Sequence, residues 1–212
     1  YLNAGHILGS GMIKFTYNGK HILFTGDLGN SPSPILPDTE VISEGLAEWG
    51  PKCFERFDGM FAIAAWNTKT QELIISRDRF GVKPLYYYFD GRLFLFASEI
   101  KAILEHPNYS IKINTAALNE YFSFQNLFRF HTLFDGIYML PAANTISISK
   151  DTRSLRHQVW WDYNFSEVDN TITFQDAKEE TKRLMQEAVK RQMVSDVPVG
   201  SYLSGGMDSG SI

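Results

Sequence analysis

The chain has 212 residues, 44% of them hydrophobic and 21% charged, with a formal net charge of -4. This is ordinary globular composition for one or two domains, and it offers no basic surface for nucleic acid or acidic lipid. A single cysteine, Cys53, excludes an internal disulfide framework, and no run is long and apolar enough to span a bilayer, so a cytoplasmic protein without nucleic-acid or membrane partners is expected.

The first forty residues read as β structure. Met12 to Tyr17 and Lys20 to Thr25 flank Asn18-Gly19, a pair suited to the positive φ angles of a tight hairpin turn. Ser31-Pro32-Ser33-Pro34 and Pro37 form a stiff stretch that suits neither a helix nor a central strand, and they mark a boundary. Glu40 to Trp49 reads as a helix, and Pro51 suits the first position of a second short one ending at Phe57. Phe61 to Trp66 with Leu73 to Ser76, and Leu85 to Phe89 with Leu93 to Ala97 around Asp90-Gly91, predict antiparallel sheet. Short helices are expected over Ser98 to Leu104 and Thr115 to Phe124. More β structure is expected through Thr132 to Tyr138 and Thr145 to Ser149, with Trp160, Trp161 and Tyr163 closing the region.

The clearest helix runs from Phe174 to Met193. Thr173 and Asp176 form a capping-box pattern, Ala177, Leu184, Met185, Ala188 and Val189 share one face, and Lys190 and Arg191 suit the negative end of the helix dipole. Val197 to Leu203 then reads as a buried strand running into Ser204-Gly205-Gly206-Met207-Asp208-Ser209. Two glycines after a strand let backbone N–H groups approach an anion, two serines add hydroxyl donors, and Asp208 is placed either to hold Mg²⁺ or to order the loop. The alternative is a glycine turn that binds nothing.

The string Leu203-Ser204-Gly205-Gly206-Met207-Asp208-Ser209, preceded by Ser195-Asp196-Val197-Pro198-Val199-Gly200, resembles the pyrophosphate loop of asparagine synthetases. The resemblance continues upstream in Arg77-Asp78-Arg79-Phe80-Gly81-Val82-Lys83-Pro84-Leu85-Tyr86-Tyr87, in Phe96-Ala97-Ser98-Glu99-Ile100-Lys101-Ala102 and in Asp58-Gly59-Met60-Phe61-Ala62-Ile63. It covers roughly residues 38 to 212. It implies an α+β chain: part of an αββα glutaminase of the N-terminal-nucleophile type over 38–165, then the start of an α/β pyrophosphate-loop ATP-binding domain over 166–212. The family forms asparagine from aspartate, ATP and the ammonia of glutamine, with Mg²⁺, and its full-length members are expected as homodimers. The resemblance places Leu203 to Ser209 against ATP. It also matches Asp38 to the carboxylate that binds the α-ammonium of glutamine, a role that charge pairing makes sensible. The residues themselves allow a second reading, in which Asp38 caps the helix beginning near Glu40.

Two departures from the family are visible. Gly210 stands where members commonly carry a second serine. The family nucleophile is a cysteine at the mature N-terminus, whereas residue 1 here is Tyr and Cys53 is internal, with a peptide amide in place of a free amine. Cys53, in an amphipathic stretch between Trp49 and Phe57, reads as a small core residue, and no glutaminase activity is expected of this chain. Arg77, Asp78, Arg79 and Lys83 read as structural charges that pair and hold loops. The resemblance suggests that they shape the region facing the synthetase domain.

The front segment has a different affinity. Ala4-Gly5-His6-Ile7-Leu8-Gly9-Ser10 and Phe24-Thr25-Gly26-Asp27-Leu28-Gly29 resemble motifs of metallo-β-lactamase-fold hydrolases, especially the RNA-processing branch. That resemblance implies a β-hairpin fragment over 1–37 with His6 and Asp27 as vestigial zinc ligands, since the family's main histidine cluster is absent. Pro37-Asp38-Thr39-Glu40 suits both families and is the expected seam. A chain cut short at both ends is expected, with the acceptor pocket downstream of Ile212. Two alternatives are a zinc-dependent hydrolase or ribonuclease and a non-catalytic fusion fragment.

Overall fold

A computed structural model describes residues 12–14, 22–26, 38–166, 171–193 and 198–211, with positions up to 40 described by backbone alone. In chain order the strands and helices are β1 (Met12–Lys14), β2 (Ile22–Gly26), α1 (Asp38–Trp49), a 3₁₀ turn (Gly50–Arg56), β3 (Ala62–Asn67), β4 (Glu72–Arg77), β5 (Tyr86–Phe89) and β6 (Phe94–Ala97). They continue with α2 (Ile100–Leu104), α3 (Thr115–Phe124), β7 (Ile137–Met139), β8 (Asn144–Ser149), β9 (Leu155–Val159), α4 (Phe174–Gln192) and α5 (Met207–Ser211). The α+β class expected from the sequence is the one found. The chain divides into two compact units, the second taking up the residues from Tyr163 onward.

The first unit is built on two antiparallel sheets, one ordered β1-β2-β3-β4-β8-β9 and the other β6-β5-β7. Strand alternation sorts the side chains into layers. From β3, Ile63 and Ala65 face one way and pack with Ile42 of α1, Cys53 and Phe54 of the 3₁₀ turn, and Trp160. Ala62 and Ala64 of the same strand face the other way, with Ile75, Leu85, Leu140 and Ile146. The small sheet buries Ile137, Tyr109 and Ile103 in a third cluster, with Tyr86, Tyr88 and Ile100 packed on it. The layers therefore run helix, sheet, sheet, helix. Phe54, Phe61 and Trp160 form the aromatic centre of the first cluster, with Phe61 stacked on Trp160 at a centroid distance of 6.0 Å.

Several expectations are refined. The stretch after Trp49 is a 3₁₀ turn with Pro near its start, where the missing N–H costs nothing. The β structure expected over Thr132 to Tyr138 contracts to Ile137–Met139, because the Thr132 hydroxyl bonds the Phe134 and Ile137 carbonyls and Gly136 turns the chain at φ +73°. The sequence reading missed β9: its exposed Arg156, His157 and Gln158 show no apolar alternation, and its place is set by pairing with β8. β1 and β2 pair with Met12 opposite Thr25 and Lys14 opposite Leu23, a register centred on Asn18-Gly19, which itself lies outside the described residues.

In the second unit, α4 starts with the expected capping box: Thr173 and Asp176 each hold the other's backbone N–H. Arg183 bridges Glu180 and Glu187 along the exposed face. No residue of α4 is buried. The strand expected over Val197 to Leu203 is corrected: residues 198–204 form no strand, and Val199, Tyr202 and Leu203 are exposed, Tyr202 by 98%. An apolar strand needs ladder partners for its N–H and C=O groups, and the described residues of this unit contain none. No helix among the described residues is long and apolar enough to cross a membrane.

Candidate functional site

The carboxyl-terminal loop folds on itself. Gly205 adopts φ +77°, a conformation costly for any residue with a Cβ, and this turns the chain into α5. The Ser209 hydroxyl lies 2.9 Å from that of Ser204, accepts from Ser204 N at 3.2 Å and donates to the Gly206 carbonyl at 3.2 Å. Gly206 N donates to the Ser204 hydroxyl at 3.4 Å. Ser204, Gly206 and Ser209 are thus brought together, while Leu203, Met207 and Asp208 stand at the surface. The two hydroxyls expected as free donors are engaged with one another, so they present a pre-shaped turn whose hydrogen bonds an anion would have to rearrange. A lone exposed carboxylate such as Asp208 fits Mg²⁺ only in the mode where phosphate oxygens and waters complete the octahedron. The described residues contain no group of three or more His, Cys, Asp and Glu side chains fit to hold a metal.

In the first unit, a cleft of about 250 Å³ opens between α1 and the segment leading into β3, lined by Val41, Ile42, Phe57, Met60, Phe61 and Ile63, with Arg56, Asp58 and Gly59. Drug-sized ligand pockets run to roughly 300–1,000 Å³, so this one suits a molecule of amino-acid size. Asp38 is the first residue of α1. Helical spacing puts its position on the same face as Val41 and Ile42, three and four residues on. Arg56 does not aim its charge into the cleft, because its guanidinium sits 4.5 Å over the Trp49 ring at the far end of α1. His6 and Asp27 lie outside the described residues.

The rim of this cleft is tied down by a residue the sequence reading treated as one of several structural charges. The buried Asp78 carboxylate accepts four backbone N–H groups: Phe61 at 3.2 Å, Phe80 at 3.2 Å, Val82 at 2.9 Å and Lys83 at 2.9 Å. Arg77 takes the carbonyls of Lys83, Leu140 and Gly81 at 2.6, 2.7 and 2.5 Å. The charges were expected to pair and hold loops. What holds the loops here is charge bound to main chain, and Gly81 at φ +64° lets the chain close around the Arg77 guanidinium. Arg79 stacks over Trp161 at 5.3 Å, and its Nε and the Trp160 Nε1 are both buried without an acceptor.

Cys53 is fully buried beneath α1. Loss of solvation pushes its thiol up to about 11, so it is uncharged at neutral pH. It is the core residue the sequence suggested.

Comparison with known proteins decides the family. Residues 32–161 match the model of the glutamine amidotransferase domain. The chain belongs to that family. Residues 180–212 match the asparagine synthase model, so the two occur in order along one chain. The chain is 40% identical over 176 residues, 82% of its length, to asparagine synthetase [glutamine-hydrolyzing] 3 of Bacillus subtilis. It is 37% identical over 207 residues, 94% of its length, to a putative asparagine synthetase [glutamine-hydrolyzing] 2 of Methanocaldococcus jannaschii. It spans 28% and 39% of the lengths of these two relatives. Among solved structures, a glutamine phosphoribosylpyrophosphate amidotransferase from B. subtilis is 15% identical, with a TM-score of 0.41 over 71% of this chain and 31% of that one.

Proposed function

We propose that this chain is part of a glutamine-hydrolysing asparagine synthetase, an ATP-dependent ligase that activates aspartate and displaces AMP with ammonia drawn from glutamine. The observation that carries the reading is the succession of an amidotransferase unit and an asparagine synthase segment ending in Ser204 to Ser209. On this reading residues 38–165 are the distal part of an N-terminal-nucleophile glutaminase, and 166–212 opens the ATP-binding domain. The segment ahead of residue 32, where the amidotransferase match begins, keeps its resemblance to a metallo-β-lactamase-fold protein, with His6 and Asp27 no longer serving a metal.

In the glutaminase unit, Asp38 binds the α-ammonium of glutamine, and the apolar cleft beside Val41, Ile42 and Phe61 receives the methylenes. Charge pairing with the α-ammonium and apolar contact with the methylenes together select glutamine. In the synthetase segment, the Leu203 to Ser209 turn offers backbone N–H groups to the pyrophosphate of ATP, with Asp208 sharing Mg²⁺ with the phosphates. Hydrolysis of glutamine needs a thiolate with a base beside it. Cys53, buried and held protonated, supplies neither.

Two assays test this. The purified chain given glutamine is expected to release no ammonia above buffer, and steady turnover would show that a nucleophile has been overlooked. In an asparagine synthetase that carries this chain at the length of its relatives, Asp38→Asn is expected to raise the KM for glutamine about 100-fold, roughly the loss of one charge-assisted contact of ~3 kcal/mol. Activity with free ammonia should be unaltered. Equal loss with both nitrogen sources would remove Asp38 from the glutamine site.

A further inference from the structure

We propose that the aromatic face formed by α3 and the turn after it is a docking surface for a second copy of this chain. The inference goes beyond the asparagine synthetase reading and does not rest on it. It starts from the sequence. The stretch Tyr121-Phe122-Ser123-Phe124-Gln125-Asn126-Leu127-Phe128-Arg129-Phe130 is half aromatic, and its first eight residues carry no charge. A helix at the surface of a domain usually turns such rings toward the core, yet Ala117 is the one buried residue of α3. Tyr121, Phe122, Phe124, Phe128 and Phe130 are exposed by 44 to 75%. The rings form a connected patch. Tyr121 and Phe122 meet at 6.2 Å, Tyr121 and Phe124 are neighbours one helical turn apart, and Phe124 meets Phe128 edge-on at 5.2 Å.

Local bonds hold this face in place. Gln125 ends α3 at φ +52°, a conformation disfavoured for a residue with a Cβ, and the turn brings Phe128 back to Phe124. The largely buried Glu120 carboxylate fixes the return: Oε1 accepts from Phe128 N at 2.7 Å, and Oε2 lies 2.9 Å from His131 Nε2. A face ordered in advance loses little entropy on docking. Its size suits a dimer. A fully buried aromatic ring contributes ~200 Å², so five rings exposed to this extent offer about 600 Å². With the exposed Ser123, Gln125 and Asn126 among them, the face approaches the ~800 Å² per partner of a stable interface. Its chemistry selects a second copy as the occupant. Ser, Asn, Gln and Tyr side chains each donate and accept, so each can pair with its own counterpart across a twofold axis, and no like charges confront one another over 121–128. Arg129, near the end of the stretch, suits the wet rim of such an interface.

Sedimentation velocity of the full chain tests this. At ~100 μM the dimer is expected to predominate. Phe122→Glu puts a carboxylate on the face of each copy and should raise the dissociation constant at least ~100-fold. Phe128→Glu should act in the same way. Phe165→Glu changes an aromatic residue of the second unit that is 81% exposed, and it should leave the dimer unaltered. Phe122 belongs to none of the three core clusters, so its variant should keep the circular dichroism of the wild-type chain. If Phe122→Glu nevertheless loses its fold, Phe128→Glu decides in its place. A chain that is still monomeric at ~100 μM would overturn the proposal and leave the face to a different partner. Three other results would also overturn it: a dimer that Phe122→Glu leaves intact, equal weakening by Phe165→Glu, and assembly that continues past two copies, because a twofold face closes on itself.

Discussion

The two units carry comparably specific sequence motifs but very different amounts of packing. In the first, three apolar clusters fill the space between helix, sheet, sheet and helix, and buried charges close the loops. In the second, α4 has an apolar stripe with Leu184 and Met185 exposed by 51% and 45%, and the segment leading to the glycine loop is open to solvent. A motif can therefore be fully legible without packing around it, because a turn such as Ser204 to Ser209 closes through local hydrogen bonds alone. A core cannot. Mutations in the first unit should act on global stability and those in the second should not.

The largest effect is expected at Asp78. Asp78→Ala strands four N–H donors around a buried site and should cost about 3–5 kcal/mol, read as a collapse of the near-UV circular dichroism transition to lower denaturant. Asp208→Ala, at the exposed end of the chain, should leave that transition within about 0.5 kcal/mol of wild type. A comparable shift from the two substitutions would abolish the contrast. Phe54→Ala extends the comparison to apolar packing. Phe54 is wholly buried among Phe57, Phe61 and Trp160, and its truncation should cost about 3–5 kcal/mol. Leu184→Ala, half exposed on α4, should have almost no effect on the same transition.

Elements whose cause is local were readable from the sequence. Asp90-Gly91 closes the β5–β6 hairpin through Asp90 accepting from Arg92 and Leu93, and Thr173 with Asp176 starts α4. Elements whose cause lies elsewhere in the chain were not. β9 has a polar sequence and exists because β8 offers an edge, whereas Val199 to Leu203 has an apolar sequence and no strand paired with it among the described residues. The candidate site divides the same way. Gly205 could be read as a turn residue from its neighbours, but the Ser204–Ser209 contact could not. Nor could the role of Asp78, which depends on Phe61, seventeen residues away, arriving at its carboxylate.

Glycine substitutions sharpen the comparison at intermediate scale. Gly81→Ala meets both a positive φ and a Cβ placed 3.0 Å from the Arg77 guanidinium carbon and 3.2 Å from the Ala142 Cβ. It should destabilise the first unit by about 1–3 kcal/mol. At Gly91, φ is +88° but nothing lies within 4 Å of an added Cβ, so Gly91→Ala should cost only about 1 kcal/mol in backbone strain. Equal losses at the two positions would show that the guanidinium yields easily and that backbone strain alone is being measured.

The smallest expected effect is a pH dependence in the first unit. His157 on β9 lies with its Nε2 3.5 Å from the Tyr87 hydroxyl and its ring 5.8 Å from the Tyr87 ring. Partial burial there holds its pKa below the usual range. The folded state then binds fewer protons than the unfolded chain, so the contribution of His157 is complete above the unfolded pKa of about 6.5 and is lost as pH falls through the lower folded value. Since β9 is largely exposed, solvent reduces the effect. His157→Gln should raise Tm at pH 5 relative to pH 8 by only about 1 °C more than any shift seen in wild type, since ~1 kcal/mol moves a domain of this size by about 2–4 °C. Differential scanning calorimetry of both proteins at the two pH values measures it. A change of opposite sign would mean that His157 is stabilised in its charged form, and that the Tyr87 hydroxyl serves it as an acceptor.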